Sequence, residues 1–210
     1  GSVLRAKDSF HTIVIRSTVP PGTTEKTLIP LLEKTSGKKA FEDFDVCVNP
    51  EFMREGTSVH DFNNPSRTVV GIKITKSVEL LKRIYRYVKA PFVVTDIKTA
   101  EFIKYADNSF HALKVAYANE IASLCKTLHV DAKQVFDLFL MDKKLNISEA
   151  YLKPGPPFGG SCLPKEVRAL QHLSAYPERY PLLHSILPSN DLRKREILFL
   201  ILSQKKSSIG

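Results

Sequence analysis

"PFVVTDIKTAEFIKYADNSFHALKVAYANEIASLCKTL", Pro91 to Leu128, contains the point at which the chain changes character. Its opening, "PFVVTD", reads as a short strand rich in β-branched side chains. From Thr99 onward Ile103, Ala106, Phe110, Leu113, Tyr117, Ile121, Leu124 and Leu128 recur at three- and four-residue steps. That spacing predicts one long amphipathic helix of about thirty residues. The break near Asp96 therefore separates two textures.

Upstream of it, "TIVIRS", "DVCVNPEF" and "RTVVGI" read as three further strands. Thr23 to Glu33 and Ser77 to Val88 read as helices between them, the second from the spacing of Val78, Leu81, Ile84, Tyr85 and Val88. Strand and helix in alternation predict an α/β sheet that is at least partly parallel. Downstream only helices are read. One is capped by Asp131, one follows the Pro/Gly-rich "KPGPPFGGS", and one spans about Leu182 to Leu202. The expected organisation is an α/β part over residues 1–96 and an all-helical part over residues 97–210. The opening "VLRAKDSFHTIVIRS" reads as a helix tail feeding a strand, and the closing "KKSSIG" as the lead-in to another. The chain thus reads as cut from a larger protein, with "GS" at the start a cloning scar.

Composition narrows the function. Hydrophobic content of 43% is ordinary for a globular protein. No segment approaches the roughly 18 apolar residues of a membrane span, and "EILFLILS" reads as a buried helix. Three cysteines, Cys47, Cys125 and Cys162, argue against a disulfide framework and for a reducing cytoplasm. No CxxC pair or His/Cys cluster has metal-ligand spacing. The balance of 31 basic and 22 acidic residues, net +9, suits an anionic partner. The basic residues are scattered and no nucleic-acid motif occurs, so a small anionic molecule is favoured over nucleic acid.

Four short stretches can carry chemistry. In "PPFGGSCLPKEVRAL" a thiol, Cys162, follows two glycines at a helix start, where the dipole lowers a thiol pKa. It can equally be a small buried hydrophobe beside a turn. Glu166 lies four residues on. In "NPEFMREGT" Glu51 and Glu55, four apart on one turn of helix, share a face and could hold a water and take its proton. They can equally offset a helix dipole in solvent. Lys104 and Asn108, four apart and off the apolar stripe of the long helix, could stabilise an oxyanion or merely form a wet face. Thr18, in "RSTVPPGTT", stands at a strand end, where α/β sheets meet ligands, though the sequence is also simply that of a turn.

Taken together and in this order, "RSTVPPGTT", "NPEFMREGT", "FIKYADNSFHALKVAYANEI" and "FGGSCLPKEVRAL" resemble the nucleotide-sugar 6-dehydrogenases, the UDP-glucose/GDP-mannose dehydrogenase family. "GGSCLPK" and "KKLN" look closest to the GDP-mannose branch. The resemblance implies a partial Rossmann-like sheet followed by a helical dimerisation domain of the 6-phosphogluconate-dehydrogenase type. It implies NAD as cofactor, a nucleotide sugar as substrate, and a part in polysaccharide biosynthesis. The implied reaction takes a sugar C6 alcohol to a carboxylate by two hydride transfers, through a cysteine thiohemiacetal and thioester. Carried over by motif, Cys162 is the nucleophile, Lys104 and Asn108 hold the oxyanion, and Glu51, Glu55 and Thr18 serve the base and water. Glu166 stands where the family has an aspartate. Asn146, Tyr151, Lys153, Phe158 and Gly159 are implied to contact the substrate, and Thr18, Glu51 and Lys165 the cofactor. A homodimer through the long helix near 99–128 is also expected, because the stripe from Ile103 to Leu128 is too long for one short helical domain to cover. No G-x-G occurs in the sequence, so a chain that bound NAD weakly and turned over nothing alone is expected. Two rivals remain: a dimerisation or binding module without catalysis, and a 6-phosphogluconate or β-hydroxyacid type of dehydrogenase, which would have no use for the thiol.

Overall fold

A computed structural model describes residues 1–54, 56–148, 156–160, 162–174 and 176–203. The chain divides into two compact units, Gly1–Phe110 and His111–Gly210.

The first unit opens on a short helix α1 (Ser2–Arg5) and the strand β1 (His11–Ile15). A wide π-helical turn, Thr24–Leu28, runs into α2 (Ile29–Ser36), which Gly37 ends in the left-handed conformation. Then follow β2 (Phe44–Val48), α3 (Ser58–Asn63), β3 (Thr68–Gly71), α4 (Lys76–Ile84) and β4 (Phe92–Thr95). The four strands lie in the order β1-β2-β3-β4. β1 and β2 are parallel, with Ile13 opposite Val46, and so are β3 and β4, with Val69 opposite Val93. β2 and β3 run antiparallel and meet at Val48 opposite Gly71. The sheet is therefore mixed, two parallel pairs joined back to back.

β2 is buried on both faces, which explains why all of "FDVCV" but Asp45 is apolar. Phe44 and Val46 pack with Leu4 and Ile29 on one face, joined on the same side by Val48, Val69, Ile97 and Ala100. Cys47 and Val70 pack against Leu81 of α4 on the other. Also on the α4 side, the buried Asp45 carboxylate accepts a very short hydrogen bond from Ser77, whose hydroxyl in turn meets Thr12 at 2.9 Å. Ile84, read from its spacing as a core residue of α4, is instead exposed. The helix ends there, and Tyr85 turns inward to pack beside Val70 and Leu81.

The long helix α5 (Ile97–Thr127) has 31 residues and begins within the first unit. Gly71 makes its start possible: a Cβ there would lie 2.5 Å from the Ala100 Cβ and 2.9 Å from the Asp96 carbonyl. In the second unit follow α6 (Ala132–Phe139), α7 (Cys162–Leu173) and α8 (Pro181–Ser203). Asp131 caps α6 by accepting the Lys133 N–H at 2.8 Å. The Glu120 carboxylate of α5 accepts the Leu182 and Leu183 N–H groups at 2.9 and 3.0 Å and so caps α8. Leu124, Tyr180 and Leu183 form the core beside them. The apolar stripe of α5 is thus not one uncovered seam. Ile103 packs into the first unit and Leu124 into the second, leaving Phe110, Leu113 and Leu128 exposed.

Candidate functional site

The carboxyl ends of β1 and β2 and the start of β3 lie at one edge of the sheet, where α/β proteins receive ligands. Asn49, the residue after β2, is pinned there. Its N–H donates to the Ile15 carbonyl at 2.8 Å and its side-chain amide to the Val69 carbonyl at 2.8 Å. The Asn49 Oδ1 accepts from Arg16 Nη1 at 3.2 Å and from the Tyr85 hydroxyl. This fixes the segment that presents Glu51.

Glu51 does not lie on a helix, contrary to the shared-face expectation. Its own carboxylate accepts the Met53 N–H at 2.7 Å, and Asp61 accepts the Arg54 N–H at 2.9 Å. Side chains thus satisfy the amides of this irregular loop. Glu55 lies outside the described residues.

Lys104 is the central finding. Its ammonium lies 3.0 Å from Glu51 Oε1, and only a tenth of its side chain is exposed. The aromatic ring of Phe52 lies 5.7 Å from the same nitrogen. Burial works against ionisation of Glu51, but the Met53 N–H, the Lys104 ammonium and the Arg16 charge together hold its carboxyl below the usual range. The wet face read as one alternative at Lys104 is instead a closed one, because the loop after β2 folds over it. Asn108, one turn on, is exposed, as is Thr18 in the loop after β1. Arg16, Asn49, Glu51, Phe52, Arg67 and Tyr85 line a cavity of about 30 Å³, room enough for a water.

In the second unit Cys162 is the first residue of α7, and Gly160 before it adopts φ +78°, a conformation L side chains rarely take. The side chains of Cys162 and Glu166 lie outside the description, as do Tyr151 and Lys153 entirely. Lys165 is exposed on α7, and Asn146 is exposed in the turn organised by Asp142. Phe158 is partly buried and Gly159 exposed. Among the described residues no group of three His, Cys, Asp or Glu is placed to hold a metal, and no helix is long and apolar enough to cross a membrane.

Sequence reasoning missed three residues. Asn190 of α8 donates to the Phe158 carbonyl and accepts the Phe158 N–H, both at 2.9 Å, and so clamps the loop that leads to Cys162. Asp107 pairs with Arg67 at 2.6 Å. Glu101 is buried against the loop after β1. The partners of Asp107 and Glu101 are distant in sequence, but Glu101, Lys104 and Asp107 recur every three residues, a polar stripe that could have been noticed.

Two family models match this chain: the UDP-glucose/GDP-mannose dehydrogenase family NAD binding domain over residues 1–89, and the same family's central domain over residues 98–191. The chain belongs to the UDP-glucose/GDP-mannose dehydrogenase family. It is 46% identical to a GDP-mannose 6-dehydrogenase of Pseudomonas putida, an alignment covering 100% of this chain and 48% of that protein. A ternary complex of GDP-mannose dehydrogenase from Pseudomonas aeruginosa superposes with a TM-score of 0.92 at 43% identity, over 98% of this chain and 49% of that one. A UDP-glucose dehydrogenase from Pyrobaculum islandicum gives a TM-score of 0.64 at 36% identity, over 96% and 46%. The chain spans about half the length of the curated relatives it matches.

Proposed function

We propose that this chain carries the catalytic side chains of an NAD-dependent nucleotide-sugar 6-dehydrogenase, with GDP-mannose the favoured substrate. The buried Lys104–Glu51 pair carries the reading. An ammonium held out of water at a sheet edge stabilises negative charge on oxygen far better than a solvated one. The residues at this edge suit the reacting end of the cofactor: Thr18 is exposed and Glu51 is ionised. They do not suit its diphosphate, because the Gly22 and Thr24 amides already hold Glu101. Bound NAD would supply the hydride acceptor for both oxidations.

In this reading Lys104 and Asn108 stabilise the C6 oxygen as the alcohol loses its proton from oxygen and a hydride from C6 and becomes an aldehyde. The Cys162 thiolate, favoured at the start of α7, then adds to the aldehyde carbon, and the resulting alkoxide is held by the same two residues. Loss of the second hydride from that carbon leaves a thioester on Cys162. A water deprotonated beside Glu51 attacks it, releasing the carboxylate and the thiol. Glu55 and Glu166 are assigned to the same water. Asn146, Tyr151, Lys153, Phe158 and Gly159 are assigned to the substrate and Lys165 to the cofactor. The exposed Phe110, Leu113 and Leu128 suit a homodimer. The isolated chain is expected to turn over no nucleotide sugar.

The experiment is a chimera in which this chain replaces the matching half of the Pseudomonas putida enzyme. It should convert GDP-mannose to the acid with two NADH per sugar, and Cys162→Ser should stop acid formation while leaving the first oxidation. Acid formation by the serine variant at the parental rate would refute the thiol's role.

A further inference from the structure

Charged side chains stand at positions 101, 104 and 107 of α5, three residues apart and on one side of the helix. Each holds a different segment at the same sheet edge. Lys104 holds Glu51 behind β2, and Asp107 holds Arg67 in front of β3. Glu101 holds the loop behind β1 through backbone amides. The residue is 2% exposed. Oε1 accepts the Thr24 N–H at 2.8 Å and Oε2 accepts the Gly22 N–H in a very short contact.

The loop backbone explains the fit. Gly22 has φ +89°, in the left-handed region, and Thr23 follows in the right-handed helical region. Successive residues of opposite hand turn their amides toward a common point and make an anion-binding nest. Such nests commonly hold a phosphate. Here the anion comes from the chain itself. A buried carboxylate is costly to desolvate, so its placement calls for a return elsewhere.

We propose that Glu101 is a positioning residue whose carboxylate fills the Gly22–Thr24 nest from within and so fixes the loop carrying Thr18 at the edge where Lys104 meets Glu51. Pro20 and Pro21 stiffen the path from Thr18 to Gly22, so restraint at Gly22 is transmitted to Thr18. The catalytic weight of Thr18 and Lys104 rests on the function proposed above; the anchoring does not.

The test uses Glu101→Ala and the nearly isosteric Glu101→Gln in the whole chain. NMR follows hydrogen exchange at the Gly22 and Thr24 amides, with the Lys104 ammonium resonance as a second signal. In Glu101→Ala both amides should exchange about 10- to 100-fold faster, the loss of hydrogen bonds to a charged acceptor. The Lys104 resonance should move with them. Sodium formate, a carboxylate small enough for the vacated space, should restore both signals, and sodium chloride at equal concentration should not. Glu101→Gln, with one acceptor oxygen for two donors, should lose protection at one amide. Unchanged exchange in Glu101→Ala, or equal recovery in formate and chloride, overturns the proposal. Should Glu101→Ala not fold, full protection at both amides in Glu101→Gln overturns it instead. A chimera without dehydrogenase activity would remove the proposed reaction and leave the amide results intact, so the two failures are distinguishable.

Discussion

Removing either member of the Lys104–Glu51 pair should cost very different amounts, and the asymmetry follows from burial. Lys104 has a tenth of its side chain exposed and Glu51 nearly a third. In Glu51→Ala the ammonium stays inside without its carboxylate. A fully buried charge left unpaired costs about 3–5 kcal/mol, and partial access of water at Glu51 places this case near 3 kcal/mol. In Lys104→Met the remaining carboxylate keeps the Met53 N–H at 2.7 Å and its own water-facing side. Methionine fills the volume of the lysine stem, so the cost should be about 1 kcal/mol. The difference of about 2 kcal/mol is roughly a 30-fold change in the unfolding equilibrium. Urea unfolding at pH 7 measures it. The pH dependence has a definite sign. The folded pKa of Glu51 is depressed, so the pair contributes above the unfolded value of about 4.3 and is lost as pH falls through the lower folded value. The penalty of Glu51→Ala should therefore shrink across that acid window. Equal penalties for the two variants at pH 7, or one for Glu51→Ala that persists below the window, would show that Lys104 is not held inside by this carboxylate.

Other outcomes follow from single contacts. Glu120→Ala should lower the stability of the second unit by about 1–2 kcal/mol and expose the Leu182 and Leu183 amides to exchange, since both lose their acceptor. Gly71→Ala should cost about 1–3 kcal/mol in urea unfolding, because the added carbon meets Ala100 and the α5 backbone; a neutral result would mean that α5 can back away from β3. Cys47 is fully buried and its thiol is pushed up to about 12 by burial and by Asp45, so native iodoacetamide at pH 8 should leave it intact. Cys162 should be alkylated first, and peptide mass spectrometry finding Cys47 modified ahead of it would contradict the burial of Cys47.

The four strands and α5 were legible because each is encoded locally. "TVVG" and "FVVT" are β-branched runs between turns, and the stripe of α5 repeats at helical spacing over its whole length. The motif residues could be named because their stretches together resemble one family. What could not be read was their surroundings. Lys104 looks like a surface lysine until the loop after β2 closes over it, and that closure depends on Asn49 reaching Ile15 and Val69. The shared helical face of Glu51 and Glu55 was a reasonable reading of i and i+4 spacing. Glu51 instead lies in an irregular loop, where carboxylates accept the amides of Met53 and Arg54. The clamp of Asn190 on Phe158 spans 32 residues and has no local signature.

The antiparallel joint between β2 and β3 has a further consequence. Within each parallel pair the strands share a ladder of several residues, whereas the two pairs meet at Val48 and Gly71. The first unit thus consists of two stiff plates and a narrow seam, reinforced by the Asn49 amide and crossed by the opening turns of α5. Cooperative units of local unfolding tend to part where contacts are fewest. Strand amides on either side of this seam should fall into two exchange classes, with α5 the strap that makes them melt together. Loosening that strap would turn one folding transition into two.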